Sequence, residues 1–153
     1  MIKEGNTMKL AIGSDHAGFE LKEQAKEYLK SKGYEVTDYG TNSKESVDYP
    51  DYAKPVSYAV KNNEVEYGIL ICYTGIGMSM SSNKVKGIRA ALVTNVANAR
   101  LTREHNNANV LCIGAKDVSF ELLKEILDTF LNTKFLGDRH LRRVNKVMAL
   151  ENE

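Results

Sequence analysis

No stretch of this sequence approaches the ~18 consecutive apolar residues of a membrane helix, and its start carries no signal-peptide pattern. A cytoplasmic protein is therefore expected, neither membrane-spanning nor exported. Net charge is nearly absent too: 21 Lys and Arg stand against 20 Asp and Glu, a balance of +1. Without a basic excess the chain lacks the electrostatic footprint of a nucleic-acid binder or of a protein drawn to an anionic membrane. Cysteine is scarce. Cys72 and Cys112 each sit in an apolar segment, which fits free thiols in a reducing compartment better than a disulfide framework. There is no internal repeat, no low-complexity segment and no linker. The 153 residues thus amount to one domain, long enough to bury a full core without staples. Residues 1–7, MIKEGNT, lack any apolar pattern and are expected to be a disordered extension, with the fold over 8–153.

What is present is alternation. KLAIGS (9–14) reads as a strand stopped by Gly13 and Ser14. Leu21, Ala25, Tyr28 and Leu29 then recur at helical spacing, and Gly33 ends that helix. YEVTDYG (34–40) is a second strand, followed by a polar loop and a helix around 50–62. A strand at 67–72 leads into a short helix at about 76–84. IRAALV (88–93) and NVLCIG (109–114) are further strands, separated by a helix over 95–106. A helix near 119–132 carries the stripe Leu123, Ile126, Leu127, Phe130, Leu131. The last helix, about 138–150, sets Leu141, Val144 and Met148 on one face. Nearly continuous apolar strands alternating with helices predict an α/β fold: a Rossmann-like three-layer sandwich with a five-stranded parallel sheet. In such sheets ligands bind beyond the carboxyl ends of the strands.

The strand ends are where the chemistry lies. Asp15 and His16 follow the first strand, Cys72 ends the third, His105 and Asn106 end the helix after the fourth, and Lys116 follows the fifth. One crevice is expected to gather them. Plainer roles compete: Asp15 as a helix cap, His105 as a polar residue near a helix C-terminus, Cys112 as a small buried hydrophobe. Cys72 differs because it stands just before a helix N-terminus, where the dipole and free N–H groups favour a thiolate.

The loop Thr74-Gly75-Ile76-Gly77 turns a strand tightly into a helix and leaves amides directed at an anion. It lacks the third glycine of a dinucleotide fingerprint, since Met80 stands there. It has no Gly-Lys-Ser/Thr, which excludes a Walker loop. Met78 occupies the place of the arginine that a thiol-phosphatase loop requires. Arg139, Arg143 and Lys146 share one face of the last helix, which reads either as a solvated basic face or as a clamp for a phosphate monoester.

With these residues in view, the chain resembles the type B ribose-5-phosphate isomerases, whose relatives include allose-6-phosphate isomerase and the galactose-6-phosphate isomerase subunits. The matching stretches are AIGSDHAGFELK (11–22), GT with DYPDYA (40–53), GILICYTGIGMS (68–79), NKVKGIRAALV (83–93), ARLTREHNNANVL (99–111) and GDRHLRRV (137–144). The resemblance implies an aldose–ketose isomerisation of a small phosphorylated sugar with no cofactor, neither metal nor nicotinamide. It implies Cys72 as the base between C2 and C1, with Thr74 and the amides through Gly75, Ile76 and Gly77 holding the oxyanion. His105 would open the furanose ring with Asp15 assisting, and Asn106 would bind substrate. His16, Arg139 and Arg143 would hold the phosphate, with Tyr49 lining the pocket. A homodimer or tetramer with the site shared between subunits is implied as well.

Three positions depart from the family pattern. Tyr73 stands where Gly is usual, Lys116 where many members carry Arg, and Asn107 where Asp is usual. They leave the chemistry in place and bear on the sugar: ribose 5-phosphate first, a 6-phosphohexose next. A non-catalytic sugar-phosphate binder and a phosphocysteine carrier are rival readings, and the Cys72–His105 pair disfavours both.

Overall fold

The computed structural model describes residues 7–153. The expected extension at 1–7 lies outside them but for Thr7, which is exposed. The elements are β1 (Lys9–Ser14), α1 (Phe19–Ser31), β2 (Glu35–Asp38), α2 (Pro50–Lys61), β3 (Tyr67–Cys72), α3 (Ile76–Ser82), β4 (Ala90–Leu92), α4 (Val96–Asn106), β5 (Val110–Gly114), α5 (Phe120–Asn132) and α6 (Arg139–Ala149). A 3₁₀ turn over Leu150–Asn152 follows. The five strands form one parallel sheet in the order β2-β1-β3-β5-β4.

Strand side chains alternate between the two faces, and each face has its own helices. Leu10, Ile12, Ile69, Ile71, Leu111 and Ile113 point to α1, α4 and α5, where Leu29, Ala99 and Phe130 meet them. Ala11, Leu70, Cys72, Val110 and Cys112 point the other way, onto Ala53 and Val56 of α2 and Met78 of α3. Both layers are buried, which is why the strands read as continuous apolar runs. No helix among the described residues is long and apolar enough to cross a membrane.

The fourth strand is shorter than the 88–93 expected. Residues 87–90 are held by side-chain amides in place of a second ladder. Asn83 exchanges two hydrogen bonds with the Ala90 backbone, at 3.0 and 2.8 Å, on the free edge of the sheet. Asn109 accepts from Arg89 N–H at 2.8 Å and donates to the Gly87 carbonyl at 3.0 Å. The apolar stripe of α6 is also displaced. Val144 and His140 are buried, whereas Leu141 is 48% exposed. The face that packs on α4 runs through 140 and 144, with Met148 half-buried, and of the expected stripe only Leu141 falls off it.

Candidate active site

At the carboxyl edge of the sheet, Ser14 lies beside Ile71, and Cys72 beside Gly114. Asp15 N–H donates to the Ile71 carbonyl at 3.2 Å, and Asp15 Oδ1 accepts from Gly18 N–H at 3.1 Å. Asp15 thus turns the chain into α1, as a strand-end aspartate does, and is buried there beside β3. A Cβ on Gly18 would fall 2.5 Å from the Ile71 carbonyl oxygen, so only glycine lets the start of α1 lie this close. Next to Asp15, His16 Nδ1 accepts from Val47 N–H at 3.1 Å, which leaves Nε2 to meet a ligand.

Cys72 ends β3 and is 4% exposed. Gly75 N–H donates to its Sγ at 3.2 Å. That bond requires the chain to fold back at once, and Gly75 does so with φ +80°. Thr74 Oγ1 accepts from Ile76 N–H at 3.2 Å. Gly77 N–H belongs to the first turn of α3, where amides have no intrahelical acceptor. The Tyr49 ring covers Gly77 so closely that a Cβ there would sit 2.5 Å from it. Tyr73 is 58% exposed and turns outward, and its carbonyl accepts from Lys116 N–H at 2.9 Å. Asp15, His16, Tyr49, Tyr73, Thr74 to Gly77 and Lys116 therefore share this edge with Cys72.

His105 and Asn106 do not join them. The crossover from β4 through α4 to β5 starts at the carboxyl edge and must return to the amino edge. These two residues end α4, just before β5 begins at Val110. The strand then runs ~13 Å before reaching the level of Cys72. Arg103 pins this helix end, donating to the Ala108 carbonyl at 2.7 Å and to Asn107 Oδ1 at 2.9 Å. His105 and Asn106 line a groove of about 840 Å³ with Arg89, His140, Arg143 and Val144, and no residue of the Cys72 loop reaches it. Arg139 is exposed on the same helix and lies off its wall. The single crevice expected at the strand ends is not formed within one chain.

Residues 10–147 match the family model described as Ribose/Galactose Isomerase. The chain belongs to the ribose/galactose isomerase family. Ribose-5-phosphate isomerase B of Escherichia coli (strain K12) is 46% identical over 143 residues, 94% of this chain and 96% of that one. A solved ribose-5-phosphate isomerase B from Clostridium thermocellum shares the fold at TM-score 0.94 and 50% identity, covering 95% of this chain and 98% of its own. Ribose-5-phosphate isomerase B from Mycoplasma genitalium, solved with bound ribulose 5-phosphate, gives TM-score 0.91 and 44% identity, over 95% and 97% of the two chains.

Within this ribose/galactose isomerase chain Cys112 is the small buried hydrophobe its segment implies. Burial, and after it the neighbouring Cys72, push its thiol far above the ordinary range. One residue at the groove escaped the sequence reading. His140 is 6% exposed and its ring stacks on His105, with centroids 4.2 Å apart. The signal lay in the helical period: 140 and 144 share a face as readily as 141, 144 and 148 do.

Proposed function

We propose that this chain interconverts ribose 5-phosphate and ribulose 5-phosphate through an enediolate, in a site assembled from two copies of itself. The observation that carries the reading is the Cys72 thiol at the carboxyl edge of the sheet, with Gly75 N–H aimed at its sulfur at 3.2 Å. The geometry supports a shared site because the thiol and the His105 groove stand at opposite edges of one chain. Tyr73, Ile76 and Met80, beside Cys72, are 58%, 51% and 65% exposed, an apolar flank suited to cover by a second copy.

His105 opens the furanose by taking the O1 proton as the ring oxygen gains one, with Asp15 assisting at the sugar oxygens. Cys72 as thiolate takes the C2 proton, and the electron pair becomes the C1–C2 double bond of the enediolate. Thr74 and the loop amides hold the oxygen where charge develops. Preorganised donors of this kind are worth ~10²–10³ in rate each. The thiol then returns the proton to C1 while O2 passes its own to O1, and the aldose has become the ketose. Asn106 binds the sugar; His16, Arg139 and Arg143 hold the phosphate.

The test is proton NMR of ribose 5-phosphate with the purified protein in D2O. Ribulose 5-phosphate is expected to appear, with deuterium at the carbon that exchanged. A six-carbon sugar phosphate run beside it decides the second reading, which the Ribose/Galactose description of the family model keeps in play. Binding without exchange on either sugar would leave a non-catalytic binder.

A further inference from the structure

Two imidazoles lie face to face on the groove wall. The rings of His105 and His140 are 11° from parallel, with centroids 4.2 Å apart. His105 sits in the last turn of α4 and His140 in the first turn of α6. The Nε2 of His140 is buried, with no hydrogen-bond partner among the described residues. A buried polar atom left unpaired costs free energy, and a phenylalanine would fill the same flat slot without that cost.

We propose that His140 is a positioning residue for the isomerisation: its ring covers one face of His105 and holds that ring in a single orientation in the groove. The inference rests on the reading of His105 as the group that opens the sugar ring. A half-buried imidazole at a helix end otherwise turns about two side-chain bonds and samples several rotamers. Proton transfer requires a donor–acceptor distance of ~2.6–3.2 Å, and a misplacement near ~1 Å costs up to ~10² in rate. Stacking removes the alternatives and leaves the nitrogens, which lie in the ring plane, free to bond.

Backbone hydrogen bonds support the stack. Leu136 N–H donates to the Glu104 carbonyl at 3.1 Å, so the segment leading into α6 is tied to the residue next to His105. His140 N–H donates to the Gly137 carbonyl at 3.0 Å, closing the turn that starts α6. An aromatic ring in this place also suits the charge. His105 becomes a cation when it takes a proton, and a second cation against its face would oppose that. Burial first, then His105, Arg139 and Arg143, hold His140 below its ordinary pKa, with Asp138 alone opposing. The lowered pKa favours the neutral form of the facing ring, whose π cloud tolerates a neighbouring positive charge.

The experiment compares steady-state kinetics on ribose 5-phosphate for wild type, His140→Phe, His140→Leu, His105→Asn and the His105→Asn/His140→Leu double variant, with melting curves for each. Leucine fills the space without a flat face; phenylalanine keeps the face. His140→Leu is expected to lower kcat ~10-fold or more at a nearly constant KM, and His140→Phe to recover most of it. In the His105→Asn background, His140→Leu is expected to add nothing, because its effect passes through His105. Normal kcat in His140→Leu beside a crippled His105→Asn overturns this inference alone. So does a raised KM at constant kcat, or a loss that phenylalanine does not restore, or additive losses in the double variant. Full turnover by His105→Asn instead overturns the reading of His105 on which the inference stands.

Discussion

Cys72 and His105 face opposite edges of the same sheet. Cys72 closes β3 beside Gly114, the last residue of β5, whereas His105 precedes the first residue of β5, Val110. A proton relay that uses both has to bring in a second copy. Mixing inactive Cys72→Ala with an inactive Arg139→Ala/Arg143→Ala protein is therefore expected to restore activity, up to about a quarter of the wild-type sites if chains pair at random. Activity measured in verified mixed dimers is the check, and no recovery there would return the site to one chain.

In the proposed mechanism the two residues serve different proton transfers, which substrates can separate. A tetrose 4-phosphate cannot close a furanose because its O4 is esterified. His105→Asn is expected to cripple isomerisation of ribose 5-phosphate and largely spare deuterium uptake on the tetrose. Cys72→Ala is expected to abolish both, with losses on the scale of ~10²–10⁴ for each acid–base group. Solvent deuterium uptake, checked first on wild type with the tetrose, reads the contrast. Equal losses on both sugars in His105→Asn would move His105 to enolisation or to the fold.

Arg143 lines the groove with His105 and Asn106. Arg143→Ala is expected to raise KM for the phosphorylated sugar with kcat little changed, a loss of ~1.5–3 kcal/mol for charge-assisted hydrogen bonds. An unchanged KM would make Arg143 part of a solvated basic face.

Gly114 touches the loop after Cys72 through its missing side chain. A Cβ there would lie 2.4 Å from the Thr74 carbonyl oxygen, a backbone atom that cannot turn aside. Gly114→Ala is expected to destabilise the fold by ~1–3 kcal/mol and to lower kcat by displacing Thr74. A thermal melt and a rate measurement test it; wild-type values for both would mean the loop relaxes freely.

One ion-pair cluster is expected to contribute to acid stability. Lys22 Nζ, fully buried, lies 2.6 Å from Asp38 Oδ2, and Lys26 Nζ lies 2.9 Å from the same oxygen. Burial acts to raise the Asp38 pKa, but the bonds from Lys22, Lys26 and Gly40 N–H outweigh it and hold the carboxyl below its ordinary value. The unfolded carboxylate therefore takes its proton first as pH drops. The contribution to stability is whole above the ordinary carboxylate range and is lost as pH falls through the lowered value. Asp38→Asn is expected to melt lower than wild type at pH 7 and to approach it under strong acid. A constant gap between the two melting curves at every pH would show that Asp38 does not couple to acid unfolding.

Much of the fold was legible from local pattern. The α5 stripe Leu123, Ile126, Leu127, Phe130, Leu131 is buried as the period demands. The apolar runs of β1, β3 and β5 are buried on both faces, and Gly75 takes the positive φ that the tight turn after Cys72 requires. Two readings slipped by small amounts. The stripe of α6 missed by one residue because a histidine fills a place where an apolar side chain was sought. The fourth strand came out short because Asn83 and Asn109 do the bonding that a neighbouring strand would otherwise do.

By itself the sequence determined the layered α/β architecture, the thiol at a strand end and the glycine turn that follows it. Each rests on neighbours within a few residues, where periodicity, turn chemistry and helix starts act directly. Tertiary structure alone decided which groups meet. Whether His105 stands near Cys72 depends on the edge to which the crossover returns α4, and whether His140 touches His105 depends on how α6 lies across that helix. Those contacts join residues 35 or so positions apart, set by packing of whole elements against a shared core, and no local pattern in the chain records them.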